Sequence, residues 1–356
     1  MTTRVLMTAD TVGGVWTYAL DLVDALAPFG IEVHLATMGR RMTRDQRMAA
    51  RSSAVVDVIE SDYALEWMAD PWHDVDRAGE WLLDLEDHLR PDVVHLNGYA
   101  HGVLPWRAPT ICVAHSDVLS WWHAVHGVAA PAADWHEYRR RVGAGVEAAG
   151  ELVAPTGAVA DDMRRWYGRR PRVIHNGRAD TWLRHDVRAE PVILGAGRVW
   201  DEAKNLAALD RVAPRLPWPV VIAGEGDGDG GVAGRFLGRV PFEELAEWLA
   251  VASLFVAPAR YEPFGLGPLE AAMAGCALVL GDIPSLREVW DDAAVFVDPD
   301  DDDALVAAIR SLVDDQARRD VFTSKALDRA SLFRSSRMAA AYADVYGRLT
   351  AKAVAS

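Results

Sequence analysis

Two glutamates stand at the ends of a turn rich in glycine, proline and aromatic residues. The stretch Ala257–Glu270 reads APARYEPFGLGPLE and carries Glu262 and Glu270. An apolar run, Leu249–Val256, precedes it and a helical start follows it, which predicts a strand-to-helix connection. Carboxylates at such a connection can accept hydrogen bonds from the hydroxyl groups of a ligand. The N–H groups of the first helical turn can bind an anion. The competing structural interpretation is an acid that only favours the helix dipole.

A pair of basic residues follows another apolar run. Arg198 and Lys204 lie in GRVWDEAKN, directly after PVILGAG. Two cations at such a turn can stabilise negative charge that develops on a bound anion. The structural alternative is an exposed turn in which Asp201 and Glu202 pair with these basic residues.

Other candidate ligand contacts lie near the start of the chain and after a third apolar run. Gly13 and Gly14 connect a first strand to a first helix, although the dinucleotide fingerprint G-x-G-x-x-G is absent.

His115 ends the run APTICVAH, so it is expected at the carboxyl end of a parallel strand, where α/β proteins bind ligands. A histidine that caps the next helix is the alternative. Trp121 and Trp122 follow, either to stack on a sugar or to pack in the core.

Strand-length apolar runs alternate with helical periodicity along both halves of the chain. The alternation predicts an α/β protein with two doubly wound parallel sheets. The pattern restarts near residue 190, which predicts an N-terminal domain over 1–185, a linker at 182–190 and a C-terminal domain over 190–334. A last helical run at 335–356 has no strand after it.

Composition narrows the classes of function. The 356 residues are enough for about two domains, and the net charge of −15 disfavours nucleic acid and anionic lipid as partners. The two cysteines, Cys112 and Cys276, lie in apolar runs and predict free core thiols of a cytoplasmic protein. No apolar run approaches the roughly 20 residues that span a bilayer.

Three charged segments are interpreted without assigning them chemistry. The arginine-rich segment 40–51 is typical of a solvated basic loop, with contact to an anionic acceptor or a membrane surface left open. The glycine-rich loop 224–231 carries three acids that would repel phosphate, so we interpret it as flexible. Asp298-Pro299-Asp300 matches a D-x-D metal motif, but a strand end and helix cap is the favoured interpretation.

The segment EPFGLGPLE resembles the E-x7-E signature of retaining glycosyltransferases of family 4, which have the GT-B fold. GRVWDEAKN resembles the arginine–lysine motif of that family, and Gly13-Gly14 resembles its GG loop. The resemblance covers nearly the whole chain. It implies two Rossmann-like domains whose parallel sheets face a central cleft, with the terminal helix at 335–356 packed back on the first domain. One departure lies at the hinge, where His175 replaces a proline while Asp180 keeps the acid of the family.

The resemblance also implies roles for individual residues. Arg198 and Lys204 would hold the donor diphosphate, Glu262 would lie near the transferred sugar and His115 would contact it. Glu270 would bind the ribose hydroxyls. The implied donor-binding residues are Gly13, Gly14, Phe264, Gly265, Leu266, Glu270, Gly238 and Val240. Neither a metal nor a cofactor is implied.

The predicted function is retaining transfer of a hexose from a nucleotide-diphosphate sugar to a hydroxyl acceptor, which is a soluble small molecule or a glycan. A UDP-sugar is favoured over a GDP-sugar as donor, and no membrane contact is expected. Two alternatives stay open: a GT-B-fold nucleotide-sugar 2-epimerase and a non-catalytic nucleotide-sugar-binding module. Paired carboxylates also occur in glycoside hydrolases, where both flank the scissile bond.

Overall fold

A computed structural model describes residues 2–179, 189–226 and 234–355. These residues form two α/β units, the first made of Met1–His123, Val128–Gly177 and Ser335–Ser356, the second of Ala124–Gly127 and Arg178–Arg334. The last helix therefore belongs to the first unit although it follows the second in sequence. The expected linker at 182–190 and Asp180 fall largely outside the described residues.

The first unit contains a parallel sheet with the strand order β3-β2-β1-β4-β5-β6-β7. Its central strands are apolar and buried because helices cover both faces of a parallel sheet. They are β1 Thr3–Asp10, β2 Ile31–Met38, β3 Asp57–Glu60, β4 Val93–Leu96, β5 Thr110–Val113, β6 Glu151–Ala154 and β7 Arg172–Val173.

The second unit contains a parallel sheet with the order β10-β9-β8-β11-β12-β13. The strand order reverses between β8 and β11, as it does between β1 and β4 in the first sheet. Such a reversal opens a crevice at the carboxyl ends of the two strands. The strands are β8 Glu190–Ala196, β9 Val220–Ala223, β10 Arg235–Gly238, β11 Ala252–Ala257, β12 Ala277–Gly281 and β13 Val295–Val297.

Helices connect the strands in both units. In the first unit they are α1 Gly14–Leu26, α2 Arg44–Ser52, α3 Trp72–Leu89, α4 Val118–His126, α5 Ala132–Ala148 and α6 Gly157–Tyr167. In the second unit they are α7 Leu206–Val212, α8 Phe242–Val251, α9 Leu266–Met273, α10 Pro284–Trp290, α11 Asp302–Val313 and α12 Gln316–Ala330. The last helix, α13, spans Ser335–Ala355.

Each unit has its own apolar core. In the first, Tyr342 and Tyr346 of α13 are buried in the same cluster as Val5 of β1 and Leu22 of α1. In the second, Trp290 of α10 is fully buried among residues from α8, α9 and β12. Burial of each large side chain contributes roughly 1.5–3 kcal/mol, so the two sheets are held as rigid platforms for the loops at their edges.

The arginine-rich segment differs from the loop that the sequence suggested. Residues 44–52 form α2, which begins with a capping box between Thr43 and Gln46. Arg47 lies 3.1 Å from Glu60 of β3, a strand that the sequence analysis did not predict. Apolar periodicity misses both elements because ion pairs and a cap hold them. No helix among the described residues combines the length and the apolar character that a membrane crossing requires.

Candidate functional site

The turn that carries both glutamates begins at the end of β11 and leads into α9. Gly265 is the residue before the helix and has φ 92°, in the left-handed region that disfavours other residues. A Cβ atom there would lie 3.2 Å from Leu286 and 3.3 Å from Pro268. The glycine therefore allows the chain to turn sharply into α9, whose first N–H groups have no partner within the helix.

Replacing Gly265 with alanine should destabilise the protein by about 1–2 kcal/mol and weaken ligand binding at this turn, because the left-handed backbone becomes strained. Gly267 is the matched control. It lies inside α9, and a Cβ there would make only an ordinary contact, 3.5 Å from Phe255. Gly267→Ala should be neutral or stabilising by up to about 1 kcal/mol. Chemical denaturation of both variants measures the difference, and equal losses would contradict the role given to Gly265.

Lys204 and Glu262 form an ion pair at this edge, with Nζ 2.7 Å from Oε2. Both side chains remain about one-fifth exposed, at 21% and 18%. The two loops that carry them are joined by the backbone, since the N–H of Arg260 donates to the Ala203 carbonyl at 2.8 Å. The Ser285 hydroxyl also donates to the Glu262 carbonyl at 2.5 Å. The pair is thus fixed on both sides while its charges stay accessible to a ligand.

Arg198 lies in the loop that follows β8, the strand beside β11. Its Nη2 donates to Asp201 Oδ2 at 2.6 Å, and Asp201 is buried while Arg198 is 36% exposed. The same carboxylate accepts the N–H of Ala203 at 3.0 Å, which ties the arginine to the lysine loop. The sequence analysis gave pairing with Asp201 as the alternative to a role in ligand binding, and the structure contains that pair. The guanidinium of Arg198 nevertheless stays partly exposed at the same edge of the sheet.

Glu270 lies one turn into α9 and pairs with an arginine that the sequence analysis did not single out. Arg178 Nε lies 3.0 Å from Glu270 Oε1, and the two side chains are 3% and 11% exposed. The Arg178 N–H donates to the Phe333 carbonyl at 3.0 Å, so its backbone is anchored as well. Its only sequence signal is a basic residue directly after Asn176-Gly177, which does not reveal a partner 92 positions away.

The remaining predicted donor-binding residues of the second unit lie at the ends of helices and strands or in the loops beside them. Phe264 is 2% exposed and its ring packs against Phe333 with centroids 5.5 Å apart, so its side chain belongs to the core. Leu266 starts α9. Gly238 ends β10 with φ 69° and accepts the Gly224 N–H at 2.9 Å. Val240 is half-buried in the loop before α8.

In the first unit, His115 lies two residues beyond β5 and is half-buried. Its Nε2 lies 2.7 Å from Asn97 Oδ1, while Asn97 Nδ2 donates to the Thr8 carbonyl at 2.6 Å. The amide oxygen of Asn97 therefore accepts the Nε2 proton of His115, which leaves Nδ1 of His115 as the acceptor. Burial lowers the pKa of His115, so the ring is neutral at physiological pH.

His95 of β4 shares this network and links it to α13. Its Nδ1 lies 2.6 Å from the Tyr346 hydroxyl and its Nε2 lies 3.2 Å from Asn97 Oδ1. The side chain is fully buried, and burial lowers the pKa of His95 to about 3. The contact links the terminal helix to the first sheet, and burial favours the neutral form of the imidazole.

The His95 pKa predicts an acid-sensitive contribution to stability. Because the unfolded chain takes up a proton near pH 6.5 and the folded chain does not, this contribution is complete above pH 6.5 and is lost as the pH falls toward 3. His95→Gln should destabilise the protein at pH 7.5, and the gap to the wild type should shrink by about 2 kcal/mol by pH 5. Urea unfolding at both pH values measures it, and a constant gap would contradict the assignment.

The glycine pair of the first unit sits at the start of α1. Gly13 precedes the helix and Gly14 is its first residue. The Gly13 N–H donates to Asp10 Oδ1 at 2.8 Å, as does the Val12 N–H at 2.9 Å. The Asp10 carboxylate thus already accepts a hydrogen bond from the N–H group of Gly13.

The described residues contain no group of three or more histidine, cysteine or acidic side chains arranged to hold a metal ion. In the D-x-D segment, Asp298 accepts the Asp300 N–H at 3.0 Å, and Asp300 pairs with Arg260 at 2.6 Å. Asp301, one position beyond the segment, caps α11. Residues 227–231 of the glycine-rich loop lie outside the described residues, so its expected flexibility stays a prediction.

Two parallel-sheet α/β units, with charged groups at the carboxyl edge where the strand order of the second sheet reverses, define a GT-B glycosyltransferase fold. Models of glycosyltransferase families match both halves of the chain. Residues 12–180 match the model described as Glycosyltransferase Family 4, and residues 190–315 match the model described as Glycosyl transferases group 1. The chain belongs to the family 4 type of GT-B glycosyltransferases.

Individual proteins are similar to this chain over different lengths. The chain is 27% identical to a D-inositol 3-phosphate glycosyltransferase of Nocardioides sp. over 413 aligned positions, covering 96% of this chain and 86% of that protein. It is 41% identical to O-antigen chain mannosyltransferase B of Escherichia coli, but over 99 residues, 28% of this chain and 26% of that protein. HepE of Anabaena, solved in complex with UDP-glucose, has a TM-score of 0.75 at 15% identity and covers 97% of this chain and 99% of its own.

Proposed function

We propose that this protein transfers a hexose from a nucleotide-diphosphate sugar to a hydroxyl acceptor with retention of the anomeric configuration. The observation that carries the proposal is the Lys204–Glu262 pair, 2.7 Å apart and partly exposed beside the N-terminus of α9. A cation, a carboxylate and helix N–H groups that have no partner within the helix together suit a ligand that carries both phosphate and hydroxyl groups.

Each group has a proposed role. Arg198, Lys204 and the backbone of Gly265 and Leu266 bind the diphosphate, and Glu262 accepts hydroxyl groups of the transferred sugar. Glu270, oriented by Arg178, accepts the ribose hydroxyls. In the first unit, neutral His115 contacts the sugar through Nδ1, and Gly14 faces the donor. Phe264, Gly238 and Val240 shape the site through their backbone.

The proposed reaction needs no protein nucleophile. The bond between the anomeric carbon and the phosphate oxygen breaks while the acceptor oxygen bonds to the same face of that carbon. The acceptor hydroxyl proton passes to the leaving phosphate oxygen. Arg198 and Lys204, each positioned by a carboxylate partner, lower the barrier by stabilising the negative charge that develops on the leaving oxygen. We further propose that the reaction proceeds without a metal ion.

The printed names of similar proteins support a choice of donor and acceptor. HepE was solved with UDP-glucose, so we propose a UDP-sugar before a GDP-sugar. A relative that aligns along most of this chain is named for a small inositol acceptor, which favours a small molecule over a lipid. Both cysteines are buried free thiols, in keeping with a reducing cytoplasmic setting.

The test incubates the protein with UDP-glucose, UDP-galactose or GDP-mannose and a panel of sugars and polyols, and follows the anomeric protons by NMR. An α-linked product from an α-linked donor supports the proposal. A β-linked product would refute retention. Conversion of the donor to its 2-epimer without an acceptor would favour the epimerase, and nucleotide binding with an unchanged donor would favour the binding module.

A further inference from the structure

Trp200 is a large aromatic residue that lies outside the apolar clusters of the second unit. It stands in the loop after β8, two positions beyond Arg198, and it is 56% exposed. A ring of this size gives up much of the stabilisation that burial would provide. Its place beside the charged edge of the second sheet therefore calls for a role other than packing in the core.

The backbone of this loop brings Trp200 next to Arg198. The Asp201 N–H donates to the Arg198 carbonyl at 3.2 Å, which closes a turn with Val199 and Trp200 at its centre. The Val199 N–H donates to the Glu225 carbonyl at 2.9 Å, so the turn is anchored to the loop after β9. The guanidinium carbon of Arg198 lies 5.3 Å from the centroid of the Trp200 ring, which is within the range of a cation–π interaction.

The hydrogen bonds of Arg198 do not by themselves fix the orientation of its guanidinium. Within the described part of the chain this side chain donates once, from Nη2 to Asp201 Oδ2 at 2.6 Å. A single bond at one end of a planar group leaves that group free to rotate about the bond. Arg198 Nε is buried and has no hydrogen-bond partner among the same residues. A ring face against the guanidinium restricts the rotation and attracts the positive charge.

We propose that Trp200 is a positioning residue that holds the Arg198 guanidinium in the orientation that binds the donor diphosphate. The inference rests on the proposed function and adds to it a residue that acts through Arg198. A guanidinium that is oriented before the ligand arrives loses less conformational freedom on binding. The affinity for a nucleoside diphosphate is therefore higher with the ring than without it.

Two substitutions separate the ring face from apolar packing. Trp200→Phe keeps an aromatic face for Arg198, whereas Trp200→Leu keeps an apolar side chain without one. In calorimetric titrations with UDP, or with GDP if the wild type binds only that nucleotide, Trp200→Phe should stay within about 2-fold of the wild type. Trp200→Leu should bind about 3- to 10-fold more weakly. Unchanged affinity in Trp200→Leu, or the same loss in both variants, would overturn the inference.

A double-mutant cycle shows whether the effect passes through Arg198. In an Arg198→Ala background, Trp200→Leu should change the nucleotide affinity by less than about 2-fold, since the group that it positions is gone. The full loss in that background would mean that Trp200 contacts the nucleotide itself, and the positioning role would be wrong. Trp218→Leu is the matched control. Trp218 also faces an arginine, with Arg319 4.9 Å from its ring, but it precedes β9 at the opposite edge of the sheet, so the affinity should not change.

An NMR measurement without nucleotide keeps the inference separate from the proposed function. In protein with ¹⁵N-labelled arginine, the Nε–H signal of Arg198 is identified by its loss in Arg198→Lys. The indole ring current should displace this signal in the wild type, Trp200→Phe should keep a displacement, and Trp200→Leu should remove it. A signal that Trp200→Leu leaves in place would overturn the inference. If the signal responds as expected but the wild type binds neither UDP nor GDP, the positioning of Arg198 stands and the proposed function fails.

Discussion

Replacing Lys204 with alanine should lower the rate of sugar transfer by about 10²- to 10³-fold, the usual effect of removing one preorganised charge from a developing oxyanion. The protein should stay folded. The Lys204–Glu262 pair is about one-fifth exposed, so leaving Glu262 without this partner should destabilise the fold by about 1–3 kcal/mol, which is less than the loss of transition-state stabilisation. Turnover and melting temperature, measured on the same preparation, separate the two effects.

Lys325→Ala is the matched control for this prediction. Lys325 lies in α12 of the same unit and also forms an ion pair, with Nζ 2.5 Å from Asp292. Its removal changes the net charge equally but should leave turnover within about 2-fold, because an exposed charge away from the reaction contributes little. If Lys204→Ala lost stability but kept its turnover, the pair would be structural and the assignment of the site would fail.

Replacing Glu270 with glutamine should weaken nucleotide binding by about 10- to 100-fold, since hydrogen bonds to a charged acceptor contribute roughly 1.5–3 kcal/mol. The variant should also be less stable. Its partner Arg178 is 3% exposed, and an arginine that loses its buried counter-charge destabilises a fold by about 3–5 kcal/mol. Calorimetric titration gives the first quantity and chemical denaturation the second.

Two further variants separate binding from folding at this pair. Arg178→Lys keeps a cation near Glu270, so it should retain most of the nucleotide affinity. Glu243→Gln, an exposed glutamate of α8, should change neither affinity nor stability. Should Glu270→Gln bind nucleotide as tightly as the wild type, Glu270 would be a structural partner of Arg178 and the ribose role would be wrong.

The features visible in the sequence are those encoded locally. The turn at Glu262–Glu270 could be predicted because a strand, a glycine-rich turn and a proline at the helix start follow one another along the chain. Two parallel sheets could be predicted from the alternation of apolar runs. The prediction of a GT-B protein of the family 4 type is confirmed by the matches in both halves, whereas the roles of individual site residues stay predictions.

Contacts between residues far apart in the chain could not be predicted from the sequence. Arg178 and Glu270 form an ion pair because the backbone after β7 is anchored to Phe333. Nothing in the sequence around either residue indicates that the other is its partner. Asn97 joins His95, His115 and Thr8, yet an asparagine after a strand is unremarkable in sequence. Strand β3 and helix α2 depend on ion pairs and a capping box, which apolar periodicity does not register.

A thermal-shift panel of UDP, GDP, ADP and dTDP, with and without magnesium, tests the central claim most directly, because a ligand that binds only the folded state raises the melting temperature. We expect one nucleotide, UDP first, to raise the melting temperature of the wild type without magnesium and to leave Glu270→Gln almost unshifted. Two results would contradict a nucleotide-sugar site at α9: no nucleotide raises the melting temperature of the wild type, or a nucleotide raises it equally in the wild type and in Glu270→Gln.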